Sequence, residues 1–390
     1  MKRILFVLHD SSVSGSSYCF SNLLKTIDRM HFEPIVAVPK DGPLCAEIQK
    51  MGVRVEYIPS ITTYPYSQSL LKYKSIISLI RVHKSFREFN SILRKVKPEI
   101  VYLNTMMLFP YLKLSKRQGS KTVIHIREHW PIDKHSFQLG WIQKFVYEYA
   151  DKIVAINRYS ASMFPNKNVT IIYDWVDMGT RRNGPEINDI IEDTHPLKVY
   201  LYTGGVRPEK GLEEIIKTFS KYIVGDDKRL LILGVNPNII WNGFKGKIKK
   251  MLSMFGYKTY LERIIILCDK DNRVICHPAV FNITNIMEKA YGYVSFFTIP
   301  HANLALAESI ILRVPSIAAL TEESLEYSDE GQLAKLYEIN NMESFKDAWL
   351  ELDNDATTLR EQLNSNSIKI AEMFNPKRNS EIFSKMLDSL

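Results

Sequence analysis

Residues 199–219 read VYLYTGGVRPEKGLEEIIKTF: a short apolar run, a glycine pair, a basic turn, and then a helical pattern from Leu212 to about Tyr222. A short apolar run ending in glycine is the pattern of a strand buried on both faces. Strand, tight loop and helix form the unit from which parallel sheets are wound, with helices covering both faces. The chain opens on the same unit. RILFVL (3–8) is followed by the serine- and glycine-rich turn DSSVSGSS (10–17) and a helical pattern through Phe20, Leu23, Leu24 and Ile27.

The theme repeats along the chain. PIVAVP (34–39), VRVEYIP (53–59), IVYLN (100–104), TVIHI (122–126), KIVAIN (152–157) and VTIIYD (169–174) read as strands separated by helices. After 199–219, a second set contains RLLILG (229–234), IIILCD near 264, GYVSFFT (292–298), a helix from about Leu304 to Leu312, and SIAAL (316–320). Between the sets, residues 178–196 break the pattern with Gly, Pro and charge. The expectation is an α/β protein of two doubly wound, Rossmann-like domains: 1–178, a linker at 179–195, and 196–374, with a helix at about 375–390 returning to the first domain. In such sheets ligands gather at the carboxyl ends of the strands, which predicts a site in a central cleft between the two domains.

Composition narrows the function. The 390 residues are 45% hydrophobic and 24% charged, with 17 Gly and 17 Pro, which is a folded chain and neither a disordered nor a collagen-like one. Four cysteines, Cys19, Cys45, Cys268 and Cys276, widely scattered apart from the last pair, suit a reducing compartment better than a disulfide scaffold. The opening MKRILFVLHD turns polar too soon for a secretory signal, so the chain reads as cytoplasmic. The net charge of +8 is concentrated: residues 70–121 hold twelve basic residues against Glu88 and Glu99. In that stretch Ile76, Leu79, Phe86, Phe89, Leu93 and Val96 keep helical spacing, and Lys84, Arg87, Arg94 and Lys95 fall mostly on the opposite face. Such a face is either solvated or suited to an anionic lipid surface. Nucleic acid is not expected, because no helix-turn-helix, zinc-finger or RNP-type signature accompanies the charge.

Two segments carry the chemistry of the second half. In TGGVRPEKG (203–211), Arg207 and Lys210 stand on a turn after a strand, where cations and free backbone N–H groups can hold a diphosphate. In HANLALAESIILRVPSIAAL (301–320), Asn303 is an N-cap candidate and Glu308 lies one turn into the helix, where a carboxylate can accept from ribose hydroxyls. A capping glutamate that stabilises the helix start is the structural alternative. In the first half, TVIHIREHW places His125 and Arg127 on one side of a strand end, with Glu128 beginning the loop and Asn104 ending the neighbouring strand. Cys268, Cys276 and His277 match no zinc spacing, and no Walker, Gly-x-Ser-x-Gly or His-Glu-x-x-His motif occurs, so no metal site is expected.

Together these segments resemble the retaining, GT-B-fold glycosyltransferases of family 4. That family's Gly-Arg-Leu-x-x-x-Lys-Gly loop is similar to GGVRPEKG, its Glu-x7-Glu segment to PHANLALAESIILRVPSIA, and its domain-closing strand pair to KIVAIN and VTIIYDWVD. The chain departs at three positions: Gly205 stands where the family has arginine, Pro300 where it has the first glutamate, and Asn303 where it has glycine. The resemblance implies a nucleotide-diphosphate sugar, UDP- or GDP-linked, as co-substrate, with no other cofactor and no metal. It implies donor contacts from Gly15, Gly205, Arg207, Lys210, Asn303, Leu304, Ala305 and Glu308, and catalytic roles for His125, Arg127, Arg207 and Lys210. Acceptor contacts would come from Asn104, His125, Arg127 and Glu128. The implied reaction is transfer, with retention, to a saccharide or lipid-linked saccharide in surface polysaccharide biosynthesis; the basic stretch 70–121 in the acceptor domain fits peripheral docking at the inner face of the cell membrane. A sugar-nucleotide epimerase of the same fold and a non-catalytic nucleotide-sugar-binding subunit remain as alternatives.

Overall fold

The computed structural model describes residues 1–12, 15–65, 73–130, 136–175, 184–191, 195–237, 256–280 and 283–390. Two compact units divide the chain: Met1–Val176 with Phe374–Leu390, and Asp177–Met373.

The first unit is built on β1 (Lys2–Val7), β2 (Phe32–Val38), β3 (Arg54–Tyr57), β4 (Ile100–Leu103), β5 (Lys121–Ile126), β6 (Lys152–Ala155) and β7 (Val169–Ile171). They form one parallel sheet in the order β3-β2-β1-β4-β5-β6-β7. Its helices are α1 (Gly15–Lys25), α2 (Pro43–Lys50), α3 (Tyr73–Val96), α4 (Pro110–Arg117), α5 (Ser136–Tyr149) and α6 (Arg158–Ser162). Successive strand residues alternate between two cores, as the pleat requires. Leu5, Val7, Val101 and Ile124 pack with α3, α4 and α5, whereas Ile4, Phe6, Tyr102 and Val123 pack with α1, α2 and the C-terminal helix.

The second unit carries β8 (Lys198–Tyr202), β9 (Lys228–Leu233), β10 (Val274–His277), β11 (Gly292–Val294), β12 (Ser316–Ala319) and β13 (Lys335–Tyr337), parallel in the order β10-β9-β8-β11-β12-β13. Its helices are α7 (Leu212–Tyr222), α8 (Tyr260–Cys268), α9 (Thr284–Lys289), α10 (Leu304–Ile311), α11 (Glu322–Tyr327), α12 (Met342–Asn366) and α13 (Ile368–Met373). The last helix, α14 (Pro376–Asp388), belongs to the first unit: Phe383 packs edge-on against Tyr102 at 5.9 Å and Asn379 accepts from Tyr173 N at 3.1 Å.

Three segments depart from the pattern expected of the sequence. IIILCD is not a strand but the body of α8, because Thr259 and Glu262 form a reciprocal capping box that starts a helix at Tyr260, four residues ahead of Ile264. The edge strand is β10, immediately after it. Ile76 is not on the buried face of α3: it and Ile80 are exposed, and the buried stripe is Val82, Ser85, Phe89, Leu93 and Val96. Part of the expected linker is also structured, since Ile187 and Ile191 are buried in the second unit; its residues 179–183 and 192–194 lie outside the described residues.

Candidate functional site

In both sheets the strand order reverses direction at one place, between β1 and β4 in the first unit and between β8 and β11 in the second. Loops leaving those neighbouring strands run to opposite sides and leave a crevice at their carboxyl ends.

In the second unit the loop after β8 is shaped by its glycines. Gly205 and Gly211 have φ of +73° and +53°, a region that L side chains seldom occupy. A Cβ at Gly211 would overlap the Phe296 ring, and one at Gly204 would overlap Tyr202. The Tyr202 hydroxyl donates to Gly205 O at 2.9 Å and lies 3.2 Å from Lys210 O, so the loop closes over its own strand. Thr298 N donates to Glu209 O at 3.1 Å, which ties this loop to the one leaving β11. The Lys210 ammonium sits 4.3 Å from the centroid of Phe297. Burial pulls Lys210 down to about 8, Arg207 adds to the shift and Glu209 opposes it. Arg207 itself is exposed. A lysine held short of water beside a second cation is under-compensated, and an anion there would restore its charge.

Across the crevice, Asn303 caps α10: its side-chain oxygen accepts from Leu306 N at 3.3 Å, and its amide donates to Ser295 Oγ at 3.0 Å. The backbone N–H groups of Leu304 and Ala305 open this helix, where the macrodipole favours negative charge. Glu308 is buried one turn in; burial raises the Tyr293 hydroxyl, and the nearby Glu308 charge adds to that. Tyr293 in turn lies 3.3 Å from Asn303 Oδ1. Gly205, Arg207 and Lys210 thus lie on the loop after β8, and Asn303, Leu304, Ala305 and Glu308 at the cap and in the first turns of α10, which follows β11.

In the first unit, Gly15 begins α1 after β1, and Asn104 follows β4, its N–H donating to Val7 O at 3.1 Å. Residues 13–14 of the serine-rich turn lie outside the described residues. His125 is buried near the end of β5, its Nδ1 2.8 Å from the Tyr102 hydroxyl. Its Nε2 has no partner among the described residues. Burial, with Arg127 adding, pulls the imidazole well below its ordinary range, so it is neutral. Arg127 makes a two-pronged ion pair with Asp174 at 2.7–2.8 Å and reaches Asn104 Oδ1 at 3.4 Å. Burial works to lower Arg127, but the Asp174 carboxylate outweighs it and holds the guanidinium charged. The Glu128 carboxylate faces Thr105 and accepts from Met106 N at 3.1 Å and Arg127 N at 3.0 Å, so it braces the turn after β4. Asn104, His125 and Arg127 form one polar cluster around Tyr102 and Asp174. Sequence reasoning did not place Asp174, Tyr102, Tyr293 or Phe297; only Asp174 had a signal, as the lone carboxylate ending VTIIYD.

No protein-family profile and no curated protein sequence matches the chain. Solved structures do. Anabaena HepE, in complex with UDP-glucose, superposes with a TM-score of 0.74 at 16% identity over 100% of both chains. The chain adopts the GT-B fold. A glycosyltransferase from Rickettsia africae matches with a TM-score of 0.66 at 14% identity over 99% of this chain and 98% of its own. Staphylococcus aureus MnaA bound to UDP matches with a TM-score of 0.65 at 18% identity, over 100% and 98%. Within this GT-B chain, no group of three or more His, Cys, Asp and Glu among the described residues could hold a metal ion, and no helix among them is long and apolar enough to cross a membrane.

Proposed function

We propose that this protein is a retaining glycosyltransferase that moves a sugar from a UDP- or GDP-linked donor to a hydroxyl of a saccharide or lipid-linked saccharide, in surface polysaccharide biosynthesis. The observation that carries the reading is Lys210, an ammonium partly stripped of water beside Arg207 and near the strand end that faces the capped start of α10. The diphosphate sits at Lys210 and Arg207, against the backbone at Gly205 and the N–H groups of Leu304 and Ala305. Glu308 accepts from the ribose hydroxyls. As the sugar–oxygen bond breaks, the leaving diphosphate gains charge, and Lys210 with Arg207 stabilises it without a metal ion. UDP in the HepE and MnaA structures favours uridine over guanosine.

The first unit takes the acceptor. Asn104 and Arg127 hold hydroxyls, neutral His125 offers one hydrogen-bonding nitrogen, Glu128 fixes the loop, and Gly15 opens α1 after β1. Exposed Arg81, Lys84, Arg87 and Arg94 on α3, with exposed Ile76, Ile80, Phe137 and Trp141 on α3 and α5, suit an anionic bilayer surface that presents a lipid-linked acceptor at the cytoplasmic face. Binding of UDP-sugars measured by calorimetry, with wild type and Lys210→Ala, tests the donor assignment. Equal affinities for the two proteins would overturn it.

A further inference from the structure

The role proposed above uses none of the four cysteines, yet two of them meet. Cys268 ends α8 and Cys276 lies in β10. The connection doubles back through two tight turns, with Asp271 N donating to Cys268 O at 3.3 Å and Val274 N to Asp271 O at 3.0 Å. Their Sγ atoms, eight positions apart in sequence, are 2.8 Å from each other. That is within about 0.8 Å of a covalent sulfur–sulfur bond, so closure needs only a small side-chain movement. The two thiols are unequal: Cys268 is buried, while Cys276 is half-buried. Donation from the Cys268 thiol holds Cys276 below the ordinary thiol range against its burial, which favours Cys276 as the attacking thiolate. Cys19 and Cys45 are both buried in the first unit and serve as internal controls.

We infer that Cys268 and Cys276 form an oxidation site, a thiol pair that a small-molecule disulfide such as oxidised glutathione converts to an intramolecular disulfide. The Cys276 thiolate attacks one sulfur of oxidised glutathione, forming a mixed disulfide and releasing one glutathione thiolate. The Cys268 thiolate then attacks Sγ of Cys276 and expels the second. The protein pair loses two electrons and two protons; one glutathione disulfide is reduced and, taking up the protons, becomes two glutathione thiols.

The bond would fasten the end of α8 to the edge strand, and both lead to the loop holding Lys210. His277 O, one residue after Cys276, accepts from Gly234 N at 2.9 Å and Val235 N at 3.1 Å, and a Cβ on Gly234 would lie 3.4 Å from Gly205 Cα. On the other side, Glu213 N donates to the Tyr260 hydroxyl at 3.3 Å and Arg263 Nε to the Glu213 carboxylate at 3.4 Å, which braces α8 on the first turn of α7. Oxidation therefore changes donor affinity, a consequence that rests on the proposed function.

The experiment incubates the full-length protein with oxidised glutathione, blocks remaining thiols and digests with trypsin, which cuts after Lys270 and Arg273, between the two cysteines. The expected product is a cross-linked peptide pair carrying Cys268 and Cys276, with Cys19 and Cys45 recovered as blocked thiols. The oxidised protein should melt roughly 5–10 °C higher than the reduced one, from the closure of a short loop in a unit of this size, and dithiothreitol should reverse the shift. Cys276→Ser should abolish both the cross-link and the shift. Recovery of both cysteines as blocked thiols or as separate glutathione adducts overturns the inference, and this result needs only wild-type protein. Calorimetry with UDP on the two forms tests the coupling: equal measurable affinities overturn it. Failure of both forms to bind UDP would instead count against the proposed function, with the mapped disulfide still standing.

Discussion

The lowered pKa of Lys210 makes donor binding depend on pH in a way that can be worked out in advance. In the free protein the ammonium loses its proton near pH 8, because burial and Arg207 disfavour the charge. A bound diphosphate supplies the missing counter-charge and returns the group to near its ordinary value, which for lysine is about 10.4. Between these two values the complex holds a proton that the free protein has released, so affinity falls as pH rises. With a free value near 8 and a bound value near 10.4, UDP binding should weaken about tenfold between pH 7 and pH 9. Isothermal titration calorimetry at the two pH values measures this directly. Lys210→Met should bind less tightly at neutral pH, by about 1.5–3 kcal/mol for a lost charged contact, and should show almost none of the pH dependence. Stability without ligand should move the other way. The unfolded chain binds the extra proton between pH 8 and about 10.4, so the stability of wild type relative to Lys210→Met should rise over that window. An affinity that is flat from pH 7 to 9, or the same slope in Lys210→Met, would refute the placement of the diphosphate at Lys210.

Further outcomes follow from particular residues. Buried, neutral His125 is protonated more readily when unfolded, so its contribution to stability is intact above about pH 6.5 and falls by up to about 1.4 kcal/mol per pH unit below it. Urea melts at pH 7.5 and 5.5 should show a smaller acid loss in His125→Phe than in wild type. Arg127→Ala leaves the Asp174 carboxylate buried without its partner and should cost about 3–5 kcal/mol in a urea melt, whereas Arg127→Ala with Asp174→Ala should recover part of that. Gly211→Ala forces a left-handed backbone and an overlap with Phe296, which should cost about 2–5 kcal/mol and weaken UDP binding together with stability. Co-sedimentation with anionic liposomes should decline with salt and on reversal of Lys84, Arg87 and Arg94 to glutamate, and further with Phe137→Ser and Trp141→Ser. Salt-independent binding would assign that face to solvent.

Local chemistry explains which parts of the fold could be seen in the sequence. The strand, glycine loop and helix of residues 199–219 carry their own signals, and α7 runs over the expected residues; Asn303 caps α10 as its side chain suggested. The IIILCD segment misled because a short apolar run fits strand and helix alike, and the deciding capping box at Thr259 and Glu262 lies before it. Charge was legible only as a local sum. Lys95 pairs with Glu56 at 2.7 Å and Lys116 with Asp151 at 2.6 Å, partners from outside residues 70–121, so the surface is less basic than the stretch alone implies. Lys72 and the side chain of Lys74, counted in that stretch, lie outside what the structure describes. The same limit hid Asp174 behind Arg127 and Phe297 beneath Lys210, contacts between elements that only the wound sheet brings together, while Cys276 meets Cys268 through the tight turns between α8 and β10.

The central claim is sugar transfer from a nucleotide held by the second unit. It is tested most directly by incubating the protein with UDP-sugars and a panel of saccharide and lipid-linked acceptors, and following nucleotide release and product mass together. The account predicts UDP release that requires an acceptor, with one added sugar on that acceptor, and its loss in Lys210→Ala and Glu308→Ala. Tight nucleotide binding without turnover across the panel, or conversion of one UDP-sugar into another with no acceptor present, would contradict it.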